Sequence, residues 1–498
     1  MNEFLPHITQ LLNSAIKGFS YLLPELVLLI TFILVILGDL FAPGKRSTLA
    51  FGICIAGIII SILVGWIQNL DIERIVLFDN TLVLDSVSIS FKNIFSAVTI
   101  LFAIFIRYNK ALQEHKKGTG DLYMLLPAVL IGLNLMSMSA SLLMIYLSVE
   151  MVSIASYLMV GYASADKKQT EAAMKYALFG SICSAVMLYG MSLLYAFTGS
   201  LNILDHDFLL RLNMLSDPAV SLALLLVLVG IGFKLSFVPL HFWSPDVYEG
   251  AATPVTAFLS TAPKIAGFAL LIRFVEPFLL PAQPYELPEV FDFRTILAVV
   301  AIATMIIGNF SAIWQNNVKR MLAYSSIGYT GFALMAIVAF EGSGFYSLII
   351  YFAIYSVMNM AAFMLVYKIE EHTGQTDIRA YKGLGKVLKP ELICFVVVLV
   401  ALTGLPPTAG FIAKLFIFSS AFEYYTSSGS VVILIMLITG AVTTVVSLFY
   451  YLKIPLFAYL RESETAIEPV KKRDFLTYVI VFLTVLLVVF GIFPGLLS

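Results

Sequence analysis

Ala219–Leu240 reads AVSLALLLVLVGIGFKLSFVPL, an apolar run that carries a lysine, Lys234, and then a proline, Pro239. A spanning helix needs roughly 20 mostly apolar residues, and this run supplies them. Proline removes a backbone donor and clashes with the preceding turn, so the helix should break near Phe237–Pro239. At membrane depth a broken helix is tolerated where it lines a cavity or is buried in protein. The stretch therefore reads as a bilayer-spanning segment with a lysine at its break.

The rest of the chain agrees. Of 498 residues, 60% are hydrophobic and only 12% charged, half the charge of an ordinary soluble domain, and the mean hydropathy is +0.95. Thirty Lys+Arg nearly balance 31 Asp+Glu, so no basic face for nucleic acid is implied. Cys54, Cys183 and Cys394 lie far apart in apolar runs and read as packing residues. No CxxC, HExxH, P-loop or GxGxxG pattern occurs, which argues against a metal, redox or nucleotide site. No basic region precedes a cleavable core at the start, so Tyr21–Phe41 reads as a retained helix.

The expected class is an all-α polytopic membrane protein with 14 transmembrane helices. Their cores are 21–41, 48–69, 84–106, 122–139, 141–163, 171–197, 219–245, 253–279, 294–315, 320–340, 343–368, 391–421, 429–456 and 475–497. Alternating the bilayer side places twenty Lys/Arg in the odd-numbered loops and five (Lys17, Arg74, Arg211, Arg273 and Arg294) on the other side. The second side also carries Asp71, Glu73, Asp205, Asp207, Glu286, Glu289 and Asp292. This positive-inside asymmetry puts both termini outside.

Five further cations, Lys92, Lys175, Lys234, Lys264 and Lys414, fall inside apolar segments, as does Glu150. A charge at mid-bilayer costs about 2.5–3.5 kcal/mol or more, so Glu150 needs a partner or water. Tyr146, Ser153 and Tyr157 lie on its helix face. A second break is expected at Gly404-Leu405-Pro406-Pro407, followed by Lys414. Pro-interrupted segments in corresponding places mark ion or substrate sites in transporters. Helices 7 and 12 correspond if helices 4–8 and 9–13 are two five-helix repeats, and an odd helix number makes those repeats inverted. Lys264 lies mid-way along helix 8, and His241 just beyond the break in helix 7. Lys175 reads either as a snorkelling lysine or as part of the path, and Lys92, Glu25 and Lys319 read as anchors or packing charges. Burial disfavours an ammonium and a nearby carboxylate favours it. Motion of Glu150 relative to Lys234 would therefore load or release a proton.

Gly230–Thr256, GIGFKLSFVPLHFWSPDVYEGAATPVT, and Val318–Phe332, VKRMLAYSSIGYTGF, resemble the antiporter-like membrane subunits of NADH:quinone oxidoreductase (respiratory complex I). HFWSPDVYEGA is similar to the N-type (chain 2 in mitochondria) rather than the M- or L-types. Lys414 stands where the M-type has a glutamate, and the chain lacks the L-type's long lateral helix after helix 14. Ala252 departs from the pattern, standing where a second proline is expected. The resemblance covers essentially the whole chain. It implies that Glu150, Lys234, Lys264 and Lys414 form a mid-membrane proton-transfer axis, with Lys175 and His241 as weaker transfers. It also implies that redox chemistry elsewhere in the complex drives pumping. No cofactor is expected in this chain; FMN, iron–sulfur clusters and the quinone pocket belong to partner subunits. The implied partners are the M-type subunit and the small K-, J- and A-type subunits, in a bacterial inner (cytoplasmic) membrane with both termini periplasmic.

The implied organisation is 1–120 for helices 1–3, 121–280 and 281–460 for the two repeats, and 461–498 for helix 14. Two other readings stand beside it. One is a subunit of a multisubunit cation/proton antiporter, which would use the same lysines. The other is a scaffold whose charges are static salt bridges.

Overall fold

The computed structural model describes residues 16–41, 46–68, 74–114, 118–162, 166–215, 217–279, 291–340, 344–462 and 474–497. Of the loop charges counted above, Lys45, Asp71, Glu73, Lys116, Lys117, Glu286, Glu289, Lys471, Lys472 and Arg473 lie outside the described residues.

The chain is mostly helical. Its first helices are α1 (Leu23–Phe41), α2 (Arg46–Gln68), α3 (Ser86–Tyr108), α4 (Gly120–Met138), α5 (Leu142–Val160), α6 (Lys167–Thr198) and α7 (Asp217–Leu235). After a break come the short α8 (Trp243–Gly250) and α9 (Thr253–Leu259), then α10 (Ala262–Leu279), α11 (Phe293–Ile313), α12 (Val318–Val338) and α13 (Gly344–Thr373). The chain continues through α14 (Lys389–Thr403), α15 (Ala409–Ser428), α16 (Val431–Pro455) and α17 (Phe475–Ile492).

Thirteen helical segments among the described residues are long and apolar enough to cross a membrane, with Thr253–Leu279 counted as one. They match thirteen of the fourteen expected cores. The remaining stretch, 391–421, is split between α14 and α15 at Gly404–Thr408. Exposure differs between helices: α1 and α2 expose Leu29, Ile33, Leu40, Ile60 and Leu63, whereas almost every residue of α12 is buried.

Two compact units emerge. One comprises the residues up to Met159, Gly180–Ile231 and Ile265–Phe291. The other comprises Val160–Phe179, Gly232–Lys264 and Asp292–Ser498.

In the first unit a two-stranded hairpin departs from the all-α expectation. Strand β1 (Arg74–Leu77) pairs antiparallel with β2 (Leu82–Asp85), Arg74 opposite Asp85. Phe78, Asp79 and Asn80 turn the chain in the left-handed region, which short polar side chains such as Asp and Asn tolerate. Leu77, Leu82 and Leu84 pack on Met138 at the end of α4. The strands were missed because four residues cannot announce themselves beside 20-residue apolar runs.

Asp85 ends the hairpin and caps α3: its Oδ1 accepts from the Ser88 amide at 2.9 Å, and its own amide donates to Ser88 Oγ at 3.0 Å. Arg273 of α10 reaches the same carboxylate with Nη1 at 2.8 Å and Nη2 at 2.5 Å, and donates Nε to the Ser137 carbonyl. Burial alone would push the Asp85 carboxyl up, but the Arg273 hydrogen bonds and charge more than offset it and hold it below its usual value. A depressed folded value means the clamp's stability is present above the ordinary carboxylate value of about 3.9 and is lost as pH falls through the lower folded value. Arg273→Ala strands a buried carboxylate, so thermal stability should fall by about 3–5 kcal/mol. A melting curve of purified protein indistinguishable from wild type would remove the clamp from the ledger of stabilising contacts.

Candidate proton-transfer site

Glu150 lies on α5 in the first unit. Its Oε1 is buried and has no hydrogen-bond partner among the described residues. Ser153, on its face, turns its hydroxyl back to the Val149 carbonyl at 2.7 Å. The carboxylate is thus left with acceptor capacity inside a spanning helix, the condition under which a group is available to a proton or to water.

The lysines sit in the second unit, and each lies beside a proline. Helix geometry explains why. A carbonyl accepts from the amide four residues on, so Pro239, Pro263 and Pro407 leave the carbonyls of Leu235, Leu259 and Thr403 without their helical donors. Lys234 precedes Leu235, Lys264 follows Pro263, and Lys414 reaches Thr403 itself.

At the first break α7 stops at Leu235, and Ser236 takes a left-handed φ of +57°. The Val238–Pro239 and Pro406–Pro407 peptide bonds are cis. The freed backbone is satisfied by side chains: Thr330 Oγ1 donates to the Leu235 carbonyl at 3.0 Å, and Trp243 Nε1 to the Phe233 carbonyl at 3.0 Å. The Val238 amide donates to Thr304 Oγ1 at 3.0 Å. This is how irregular backbone survives in a membrane protein. The Trp243 ring stacks on Tyr176 at 4.5 Å and leans on Phe233 at 5.0 Å, fixing α8 to the end of α7. Lys234 is buried at that end, and His241 is buried in the turn beside Phe242.

The eighth segment, expected as one helix, is itself interrupted at Ser260–Thr261, between α9 and α10. Pro263 accounts for it. The Ser260 carbonyl at the interruption accepts from Tyr355 Oη at 3.0 Å and Asn359 Nδ2 at 3.3 Å. Lys264 donates to Ser326 Oγ at 2.7 Å, and that hydroxyl lies 2.8 Å from Tyr355 Oη.

Lys414 donates to the freed Thr403 carbonyl at 2.8 Å. Its ammonium lies over the faces of Phe332 at 4.8 Å and Tyr329 at 5.4 Å, a favourable cation–π arrangement. Gly404 closes α14 at φ +83°, and a Cβ there would stand 2.6 Å from Lys414 Cδ, so the turn requires glycine twice over. Neither Lys264 nor Lys414 has an ion pair among the described residues.

The family described as NADH:quinone oxidoreductase/Mrp antiporter, TM matches residues 139–446. NADH-quinone oxidoreductase subunit N 2 of Chloroherpeton thalassium is 40% identical over 490 residues, 98% of this chain and 94% of that one. The chain belongs to the N-type branch of this family. A chain of respiratory complex I from Thermus thermophilus with bound aureothin superposes on this N-type chain with a TM-score of 0.75. The two are 27% identical, over 95% of this chain and 98% of that one. A chain of the Mrp complex from Dietzia sp. DQ12-45-1b shares the fold, with a TM-score of 0.77 at 21% identity over 96% and 95%.

Lys175 of the N-type chain stands apart from these neutral surroundings. It lies more than two turns into α6, deeper than the sequence suggested, because α6 begins at Lys167. Its Nζ is 2.7 Å from Asp246 Oδ2 and 2.9 Å from Glu171, and Arg320 holds the other Asp246 oxygen at 2.6 Å and Glu249 at 3.1 Å. These residues and Lys168 line a cavity of about 230 Å³. Burial pushes the Asp246 carboxyl up, but its bonds to Lys175 and Arg320 more than offset this and hold it low. Lys319 donates to the Ala251 carbonyl at 2.7 Å, and Lys92 pairs with Glu25 at 2.7 Å.

Asp246, Arg320, Ser326 and Tyr355 were not singled out from the sequence. Asp246 and Arg320 fall at the ends of apolar segments, where a charge is ordinary, and Ser326 and Tyr355 carry no charge to stand out. Asp246 ties α8 to α6 and α12. Asp246→Asn keeps the shape but removes the charge shared by two cations, so turnover should fall severalfold while assembly survives. Unchanged NADH-driven pumping in assembled Asp246→Asn complexes would show that α8 holds its place without it.

Proposed function

We propose that this chain is the proton-translocating N-type membrane subunit of a bacterial NADH:quinone oxidoreductase. It moves protons along Glu150, Lys234, Lys264 and Lys414, with Lys175 and His241 as subsidiary groups, driven by redox chemistry in other subunits. The observation that carries the reading is the placement of Lys264 and Lys414, buried on neutral acceptors without ion pairs among the described residues. An uncompensated membrane lysine is expensive, and unlike arginine it can give up its proton. A static scaffold would have paired them.

On this reading α14 and α15 together make a fourteenth crossing, helices 4–8 and 9–13 are inverted five-helix repeats, and 1–120 and 461–498 flank them. Both termini face the periplasm. FMN, iron–sulfur clusters and quinone belong to partner subunits, and the M-type and small K-, J- and A-type subunits are the membrane neighbours.

The shared fold with the Mrp complex chain keeps a cation/proton antiporter as the second reading. Purification through a tag on this chain, in a detergent that preserves complex I, separates the two. Co-purifying flavin and iron–sulfur absorbance with piericidin-sensitive NADH:quinone activity is the expected result. A colourless eluate without NADH oxidation, together with Na⁺-dependent proton exchange, would replace it with the antiporter.

A further inference from the structure

Lys264 is buried, and both of its acceptors among the described residues belong to one residue of α12. Its Nζ donates to Ser326 Oγ at 2.7 Å and to the Ser326 carbonyl at 3.3 Å. The two acceptors differ in kind: a carbonyl only accepts, whereas a hydroxyl also donates. An ammonium has protons to give and no lone pair. The amine left when one proton departs has a lone pair that needs a donor, and burying it unmet is costly. Of the two groups, only the Ser326 hydroxyl can meet it.

The hydroxyl is free to turn because of what stands behind it. Ser326 Oγ lies 2.8 Å from Tyr355 Oη, and Tyr355 Oη lies 3.0 Å from the Ser260 carbonyl, at the interruption after α9. While Lys264 is charged the donors run outward, from Lys264 to Ser326, from Ser326 to Tyr355 and from Tyr355 to Ser260. On reversal Tyr355 donates to Ser326, and Ser326 donates to the amine. The Ser260 carbonyl then keeps Asn359 Nδ2 at 3.3 Å, and Asn359 is itself anchored on Ser260 Oγ at 2.6 Å. Both hydroxyl protons are used in either direction, and no acceptor is stranded. The chain ends on a carbonyl, which cannot take a proton, so it reorients without conducting.

We propose that Ser326 is a two-way hydrogen-bond partner of Lys264, its hydroxyl accepting from the ammonium and reversing with that of Tyr355 to donate to the amine. The proposal rests on the proton-transfer role given to Lys264 above. It adds Ser326 and Tyr355 as positioning residues, and it makes the donors on the Ser260 carbonyl follow the charge on Lys264.

NADH-driven pumping by the intact complex in proteoliposomes tests this, with NADH oxidation by an artificial acceptor as the check on assembly. Ser326→Ala should pump on the order of tenfold more slowly, what one lost buried hydrogen bond is worth in a rate. Ser326→Thr, which restores the hydroxyl, should recover most of that loss. Wild-type pumping in Ser326→Ala beside poor pumping in Lys264→Ala overturns the proposal and leaves the proton-transfer reading standing. Wild-type pumping in Lys264→Ala overturns both. Ser326→Thr as slow as Ser326→Ala also overturns it, because space rather than the hydroxyl would then matter. Tyr355→Phe removes the second hydroxyl at nearly constant bulk and decides the case if Ser326→Ala does not assemble: a severalfold loss supports the proposal, and wild-type pumping overturns it.

Discussion

Assembled complexes carrying Lys234→Ala should oxidise NADH with an artificial acceptor at the wild-type rate and yet pump protons poorly. Lys234 is the last residue but one of α7, at the break where Pro239 denies the helix a donor, and Thr330 and Trp243 donate to the Leu235 and Phe233 carbonyls there. Backbone repair at the break therefore does not depend on the lysine, and its removal should spare the fold. What is lost is a titratable group at the break. A positioned proton-transfer group contributes on the order of 10²–10⁴ in rate, so NADH-driven pumping in proteoliposomes should fall on the order of 100-fold. Glu150→Ala should do the same, and Glu150→Asp should retain part of the activity. Wild-type pumping in assembled Lys234→Ala complexes would make the lysine a packing charge.

Lys414→Arg asks a different question. The site can take a guanidinium: the Thr403 carbonyl accepts a hydrogen bond, and the faces of Tyr329 and Phe332 attract any cation. The substitution keeps the charge and much of its surroundings. It removes one property, the ability to shed a proton. Quinone-coupled turnover and pumping should drop on the order of tenfold or more, within the range of a proton-transfer group, while subunit composition stays intact. Pumping at the wild-type rate would mean that Lys414 serves as a fixed cation.

Membrane class, thirteen of the crossings, the two breaks and the buried charges were legible in the sequence because each is a local property. Apolar length fixes what can span a bilayer, and a proline removes a hydrogen bond wherever it sits. The break in the eighth segment was equally local, since Pro263 strands the Leu259 carbonyl, but a 27-residue apolar run concealed it.

Partnership was not local. Nothing near Lys414 in sequence indicates that it lies over Tyr329 and Phe332, and nothing near Lys264 indicates Ser326, 62 residues away. The same holds for Arg273 on Asp85, 188 residues apart, and for Lys175 on Asp246, 71 apart. Where charges enter the membrane and where helices must break follow from neighbouring residues alone, because burial cost and proline geometry act within a few residues. Which of those charges meet an opposite charge, as at Lys92, Lys175 and Arg273, and which rest on neutral groups, as at Lys264 and Lys414, is set by the folded arrangement. That choice is made by helix packing, which brings residues together without regard to their distance along the chain.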